Sequence, residues 1–140
     1  MRATPQRLTA RLKMWVEFGG QPVFGDGKCR WLELVDRTGS LRATATALGM
    51  SYRGLWGRLR GMEERLGVAL VERRTGGPAG GGVRLTDAGR ALAVAYRRFR
   101  DGVDGCIAKR CQTFVAAAEA ILAGAPRAPS PRKRSRRRKA

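Results

Sequence analysis

The sequence predicts a mainly α fold with small β elements, on three observations. Between Ser40 and Leu66 two runs of apolar residues at helical spacing break at Gly49. Two β-prone pairs, each closed by glycines, flank that stretch at 11–24 and 70–85. From Leu92 to Ile121 apolar residues keep stepping by threes and fours, as one long helix requires.

Composition sets the outer limits. A chain of 140 residues, 43% hydrophobic, has room for one modest core and an arm or tail besides. Its net charge of +18 points to a polyanionic partner, nucleic acid before acidic membrane. Without the eight basic residues of the last fourteen positions the charge is still about +10, so the folded part is basic in its own right. Histidine is absent, which excludes Ser-His and Cys-His catalysis, imidazole zinc sites and a histidine pH switch. Cys29, Cys106 and Cys111 are odd in number and form no CxxC pair, so they read as small apolar residues in a reducing compartment. Carboxylates are few and scattered. No enzyme activity, cofactor or metal site is expected. With no leader and no run of ~18 apolar residues, the chain is expected to be cytoplasmic and off the membrane.

Taken in order, 1–10 is expected to be a loose arm. Arg11–Phe18 alternates, with Leu12, Met14, Val16 and Phe18 on one face, and predicts a half-buried strand. Gly19-Gly20-Gln21 turns the chain into a short return strand at Pro22–Phe24. Asp26 can cap a first helix starting at Gly27 or Lys28, with Trp31, Leu32, Leu34 and Val35 inward and Gly39 at its end. A second helix follows at about Ser40–Leu48. Small Ala45 allows a close crossing, and Gly49 allows the turn. Ser51 opens a third helix that stops at Gly67.

The third helix carries the chemistry. At ~100° per residue Leu55, Leu59, Met62 and Leu66 form one buried stripe, flanked by Tyr52, Trp56 and Glu63. The opposite face holds Arg53, Gly54, Gly57, Arg60 and Gly61, with Arg58 to one side. Arginines with small residues on a low surface suit entry into the major groove, where arginine bonds guanine in bidentate fashion. Each interior glycine costs about 1 kcal/mol relative to alanine. Close approach of DNA or of another backbone would explain Gly54, Gly57 and Gly61, and deep seating of the helix is the expectation; compositional drift is the alternative. By itself the unit could also be a helical hairpin that touches no nucleic acid.

Leu70–Arg74 and Val83–Leu85 predict a second hairpin joined by a long turn, Thr75–Gly82, with Arg73, Arg74 and Arg84 around it. Beside a reading helix such a hairpin is a wing, reaching phosphates or the minor groove. Its glycine run lacks the Gly-Lys-Ser/Thr ending of a nucleotide loop. The expected architecture is a winged helix-turn-helix at 11–86, a dimerisation helix at 87–123 capped by Thr86 and Asp87, and a disordered basic tail at 124–140.

At these residues the sequence resembles a known family. Ser51–Trp56 (SYRGLW), Met62–Arg74 (MEERLGVALVERR), Thr75–Thr86 (TGGPAGGGVRLT) and Gly89 are similar to the winged helix-turn-helix of ModE-type molybdate-responsive regulators. Met62–Arg73 also resembles the related LysR-type domain. The resemblance covers about 12–99 and implies a homodimer reading an operator, with Ser51, Tyr52, Arg53, Arg73, Arg74, Gly76 and Gly77 toward DNA. The chain departs from the longest members, which carry C-terminal oxyanion-binding domains. Here a basic tail follows the long helix, so molybdate is not expected as an effector of this chain.

Together these readings place Ser40, Ser51, Tyr52, Arg53, Gly54, Gly57, Arg58, Arg60, Arg73, Arg74, Gly76, Gly77 and Arg84 at a DNA interface. Leu92, Tyr96, Phe99, Val103, Ile107, Phe114 and Ile121 form a seam for a second copy. The expected function is a transcriptional regulator reading a pseudo-palindrome as a homodimer, with its two reading helices about 34 Å apart or a multiple. The alternatives are an architectural, sequence-tolerant nucleoid protein, favoured by the charge, and an adaptor that binds protein through its helices. The tail, if it neutralises phosphates, should steepen the salt dependence of binding.

Overall fold

The computed structural model describes residues 7–77 and 80–129. Its elements run β1 (Trp15–Phe18), β2 (Gln21–Gly25), α1 (Asp26–Thr38), α2 (Leu41–Leu48), α3 (Tyr52–Leu66), β3 (Val71–Gly77), β4 (Gly80–Leu85) and α4 (Asp87–Gly124). β1 pairs antiparallel with β2, and β3 with β4, as two separate two-stranded sheets. Two compact units divide the chain: Arg11–Ile107, and the described parts of Met1–Ala10 and Ala108–Ala140. No helix among the described residues is long and apolar enough to cross a membrane.

Within Arg11–Ile107 the core is built where the helical stripes meet. Leu32 and Val35 of α1, Leu55, Leu59 and Met62 of α3, and Leu70 before β3 are fully or almost fully buried. Val83 and Leu85 close the core from β4, and Phe24 closes it from β2. Ala45 is buried at the α2–α3 crossing, and Gly49 beyond α2 is left-handed at φ 65°. The small side chain and the positive φ together let the two helices turn on each other. Ser40 Oγ accepts from Ala43 N at 3.2 Å, and Ser51 Oγ from Gly54 N at 3.0 Å, so both helices start on serine caps. Left-handed Gly39 and Gly67 end α1 and α3.

Several expectations need correcting. The first strand is four residues rather than eight, and all of β1 is exposed instead of half buried. An isolated two-stranded sheet offers β1 no layer to pack on. Only β2, leading straight into α1, carries Val23 and Phe24 into the core. Asp26 is not the cap of α1; it is the first helical residue, after Gly25, and no side chain caps that end. Its carboxylate instead accepts from Tyr96 Oη at 2.8 Å and pairs with Arg100 at 3.2 Å. The wing strands reach Gly77 and Gly80, so most of the long turn expected at Thr75–Gly82 is strand; 78–79 lie outside the described residues. Here the backbone ladder decides, because glycines that look like turn residues can still pair. α4 runs unbroken through Gly102 and Gly105, one residue past its expected end. Thr86 Oγ1 accepts from Gly89 N at 3.0 Å, as its capping role requires. Of the expected tail, only 124–129 is described.

Candidate nucleic-acid interface

α3 presents its two sides as the periodicity predicts. Leu55, Leu59 and Met62 are buried, while Ser51, Tyr52, Arg53, Gly57, Arg58 and Arg60 are exposed. Gly54 and Gly61 are half buried. The three glycines are not equivalent. A Cβ on Gly57 or Gly61 would meet open space, whereas one on Gly54 would sit 2.9 Å from Ser51 Oγ. Gly54 therefore differs from the other two in having the capping serine beside it.

The arginines are held by different partners. Arg58 reaches over the ring of Trp31, 6.0 Å from its centroid, and so leans toward α1. Trp56 flanks the buried stripe. It is half buried, and the guanidiniums of Arg60 and Arg73 both lie against its ring, at 5.2 and 5.5 Å. Such contacts add about 0.5–1 kcal/mol each at exposed sites. They also join the helix to the wing, since Arg73 belongs to β3.

One groove of about 400 Å3 gathers Ser40, Tyr52, Arg73 and Arg74 of the expected residues. Arg42 lines it as well and places its guanidinium 5.6 Å from the Tyr52 ring centroid. Arg53, Gly57, Arg58 and Arg60 do not line the groove; they lie along α3. Gly76 is exposed on β3, and Gly77 ends that strand. Arg84 is set apart: its Nε donates to Glu72 Oε1 at 2.6 Å across the hairpin, and it faces a different depression with Asp87. Its charge is thereby largely matched from within the chain.

One residue, and the role of another, escaped the sequence reading. Arg42 is the second residue of α2, exposed just after a serine cap, and that position was its available signal. Glu63 is 8% exposed; its Oε1 accepts from Leu70 N at 2.8 Å and Val71 N at 3.0 Å. The spacing of α3 sets Glu63 at the edge of the buried stripe, but does not reveal that its carboxylate holds the start of a strand.

The expected seam on α4 divides. Tyr96 is 5% exposed and packs edge-on against Phe24 at 5.2 Å, so it belongs to its own core and is not free for a second copy. Leu92 packs partly against the same core. The hairpin and α1 reach α4 at this level, which helical periodicity alone cannot foresee. Val103 and Ile107 are half buried, while Phe99, Phe114 and Ile121 stay largely exposed.

A family model described as the bacterial regulatory helix-turn-helix protein, lysR family, matches residues 28–90. The chain is 34% identical over 94 residues to the molybdenum transport protein ModE of Azotobacter vinelandii, covering 67% of this chain and 34% of that protein. It is 40% identical over 72 residues to the molybdenum-pterin-binding protein MopB of Rhodobacter capsulatus, covering 51% and 27%. The DNA-binding transcriptional dual regulator ModE of Escherichia coli (strain K12) is 35% identical over 77 residues, covering 54% and 29%. The chain thus spans about a third of the length of the curated relatives it matches. Residues 28–90, from α1 through the wing to the start of α4, are a helix-turn-helix domain of the bacterial lysR family, in the winged form shared with ModE-type regulators.

Proposed function

We propose that this chain is a DNA-binding transcriptional regulator that reads a pseudo-palindromic operator as a homodimer. The observation that carries the reading is the outward face of α3, where Arg53, Arg58 and Arg60 stand among small residues beside the arginines of the wing. A capped helix with that face enters the major groove, and the wing follows the backbone. In this reading 11–86 binds DNA. The exposed apolar residues of α4, above all Phe114 and Ile121, pair with a second copy. Two reading helices then fall one helical turn of DNA apart or a multiple, which matches a palindrome. No oxyanion-sensing role is assigned to the described residues.

Selection of bound duplexes from a random pool by the purified chain tests this. We expect an inverted repeat with a preference of about 10³ or more over random DNA, and the same site with molybdate present. Retention of all sequences alike would favour the second reading, an architectural protein, to which the +18 charge lends support.

A further inference from the structure

We propose that the groove between α2 and the wing is a seat for a backbone phosphate of bound DNA, in which Tyr52 and Trp56 are positioning residues that aim Arg42 and Arg73. The inference rests on the DNA-binding reading above and adds to it a site, a missed contact residue and two residues that act through others.

The groove, about 400 Å3, opens among Arg42, Tyr52, Arg73, Arg74, Gly81 and Gly82, and no acidic residue is among the described residues lining it. Three guanidiniums around one groove repel each other, so something must hold them there. Four arginines elsewhere in the same unit are held by acids: Arg84 by Glu72, Arg90 by Asp36, Arg97 by Glu33, Arg100 by Asp26. Among the described residues neither Arg42 nor Arg73 has a carboxylate within salt-bridge distance. Each lies instead against an aromatic ring of α3, Arg42 on Tyr52 and Arg73 on Trp56.

That difference has a chemical consequence. A guanidinium paired with a carboxylate has spent its N–H fork and its charge. One held against a ring keeps both and loses only rotational freedom. Tyr52 and Trp56 are four apart on α3, so their rings share a side of the helix; Tyr52 takes Arg42 from α2, and Trp56 takes Arg73 from β3 alongside Arg60 of its own helix. A planar fork held this way fits a tetrahedral oxyanion in bidentate fashion. A phosphodiester running between the reading helix and the wing supplies it, and because every nucleotide carries one, the contact adds affinity without sequence preference.

The full chain is titrated by fluorescence anisotropy against its selected duplex and a scrambled one, from about 50 to 200 mM salt. Arg42→Ala should weaken both duplexes alike and lower the slope of log K against log salt by about 0.9. Tyr52→Leu should weaken binding about two- to fivefold, Tyr52→Phe should restore it, and Tyr52→Leu added to Arg42→Ala should cost little more. Trp56→Phe should stay near wild type, and Trp56→Leu should lose less affinity once Arg73 is already alanine, the remainder being what Arg60 loses on the same ring. Thermal melts identify any variant that fails to fold, and the phenylalanine variants then decide. An unmoved slope for Arg42→Ala on a duplex the wild type binds, or Tyr52→Phe as weak as Tyr52→Leu, would overturn the proposal. So would saturable binding of inorganic phosphate that Arg42→Ala abolishes while duplex binding is unchanged, which would reassign the groove to a free oxyanion. Failure of the wild type to bind any duplex would instead strike the DNA-binding reading itself.

Discussion

Glu63 Oε1 accepts the backbone N–H of Leu70 at 2.8 Å, tying the last turn of α3 to the chain just before the wing. A second bond from Val71 N at 3.0 Å reaches the first residue of β3. A buried carboxylate receiving two amides is a strong, directional link, and it sets where the wing stands beside α3. Glu63→Ala leaves both amides without that acceptor, one of them buried, and should cost about 2–4 kcal/mol in urea unfolding. Glu63→Gln retains an acceptor oxygen and should cost less than half as much. Equal losses for the two would show that packing, and not the hydrogen bonds, matters at this position.

Two glycines should respond in opposite ways. A Cβ on Gly89 would overlap the carbonyl oxygen of Leu70, where α4 passes close to the backbone before the wing. Gly89→Ala should therefore destabilise the fold by about 3 kcal/mol or more. A Cβ on Gly57 would meet open space, so Gly57→Ala should stabilise the fold by about 1 kcal/mol of helix propensity and raise the melting temperature. The same substitution should weaken DNA binding if the glycine admits the helix to the groove. Unchanged or tighter binding would leave Gly57 without a functional reason.

Alkaline pH should loosen the unit. Burial first, and then the bond to Asp26, hold the Tyr96 hydroxyl up at about 12 against an ordinary 10.0. Burial, followed by the Glu33 charge, pushes the Cys29 thiol up to about 11 from 9.0. In both cases the folded state keeps a proton that the unfolded chain has already released. Their stabilisation is complete below pH 9 and is lost as pH rises, between 9 and 11 for Cys29 and between 10 and 12 for Tyr96. Tyr96→Phe should reduce the loss between 10 and 12 in urea midpoints measured across that range. An identical pH profile would mean that Tyr96 does not carry the effect.

The same burial predicts thiol reactivity. Cys29 is buried and Cys106 exposed, so maleimide at neutral pH should label Cys106 fast and Cys29 only on unfolding. Mass spectrometry of timed samples checks the order, and early labelling of Cys29 would show that the core opens more readily than its packing suggests.

Pairing through α4 has its own measurement. Phe114 is 67% and Ile121 70% exposed, which leaves two large apolar side chains in water unless a second copy covers them. Phe114→Glu and Ile121→Glu should give a monomer in light scattering, with little change in the melting of the Arg11–Ile107 unit. A wild-type monomer, or a dimer that survives both changes, would remove this surface from the interface.

The helical parts were legible because they rest on local rules. The stripe of Leu55, Leu59 and Met62 follows from 3.6-residue periodicity, and Ser40, Ser51, Gly39, Gly49 and Gly67 mark helix ends by cap chemistry and positive φ. β1 misled because alternation reports a possible buried face, and whether another layer covers that face is not local information. Gly80 and Gly82 misled in the wing, where residues typical of turns are drawn into a ladder by their partners Gly77 and Arg74 on β3.

The sequence by itself determined the helix-turn-helix, the side of α3 that faces outward and the basic character of the unit. Each of these depends on neighbours within a few residues or on summed charge. Only the tertiary structure decided which arginines are free. It set Arg84 against Glu72, Arg42 on Tyr52 and Arg73 on Trp56, turned Glu63 inward and took Tyr96 into the core. Most of those pairings join separate elements, and Glu63 binds beyond the end of its own helix. An arginine's charge is present in the sequence, but whether an acid or a ring holds it depends on how the chain folds back on itself.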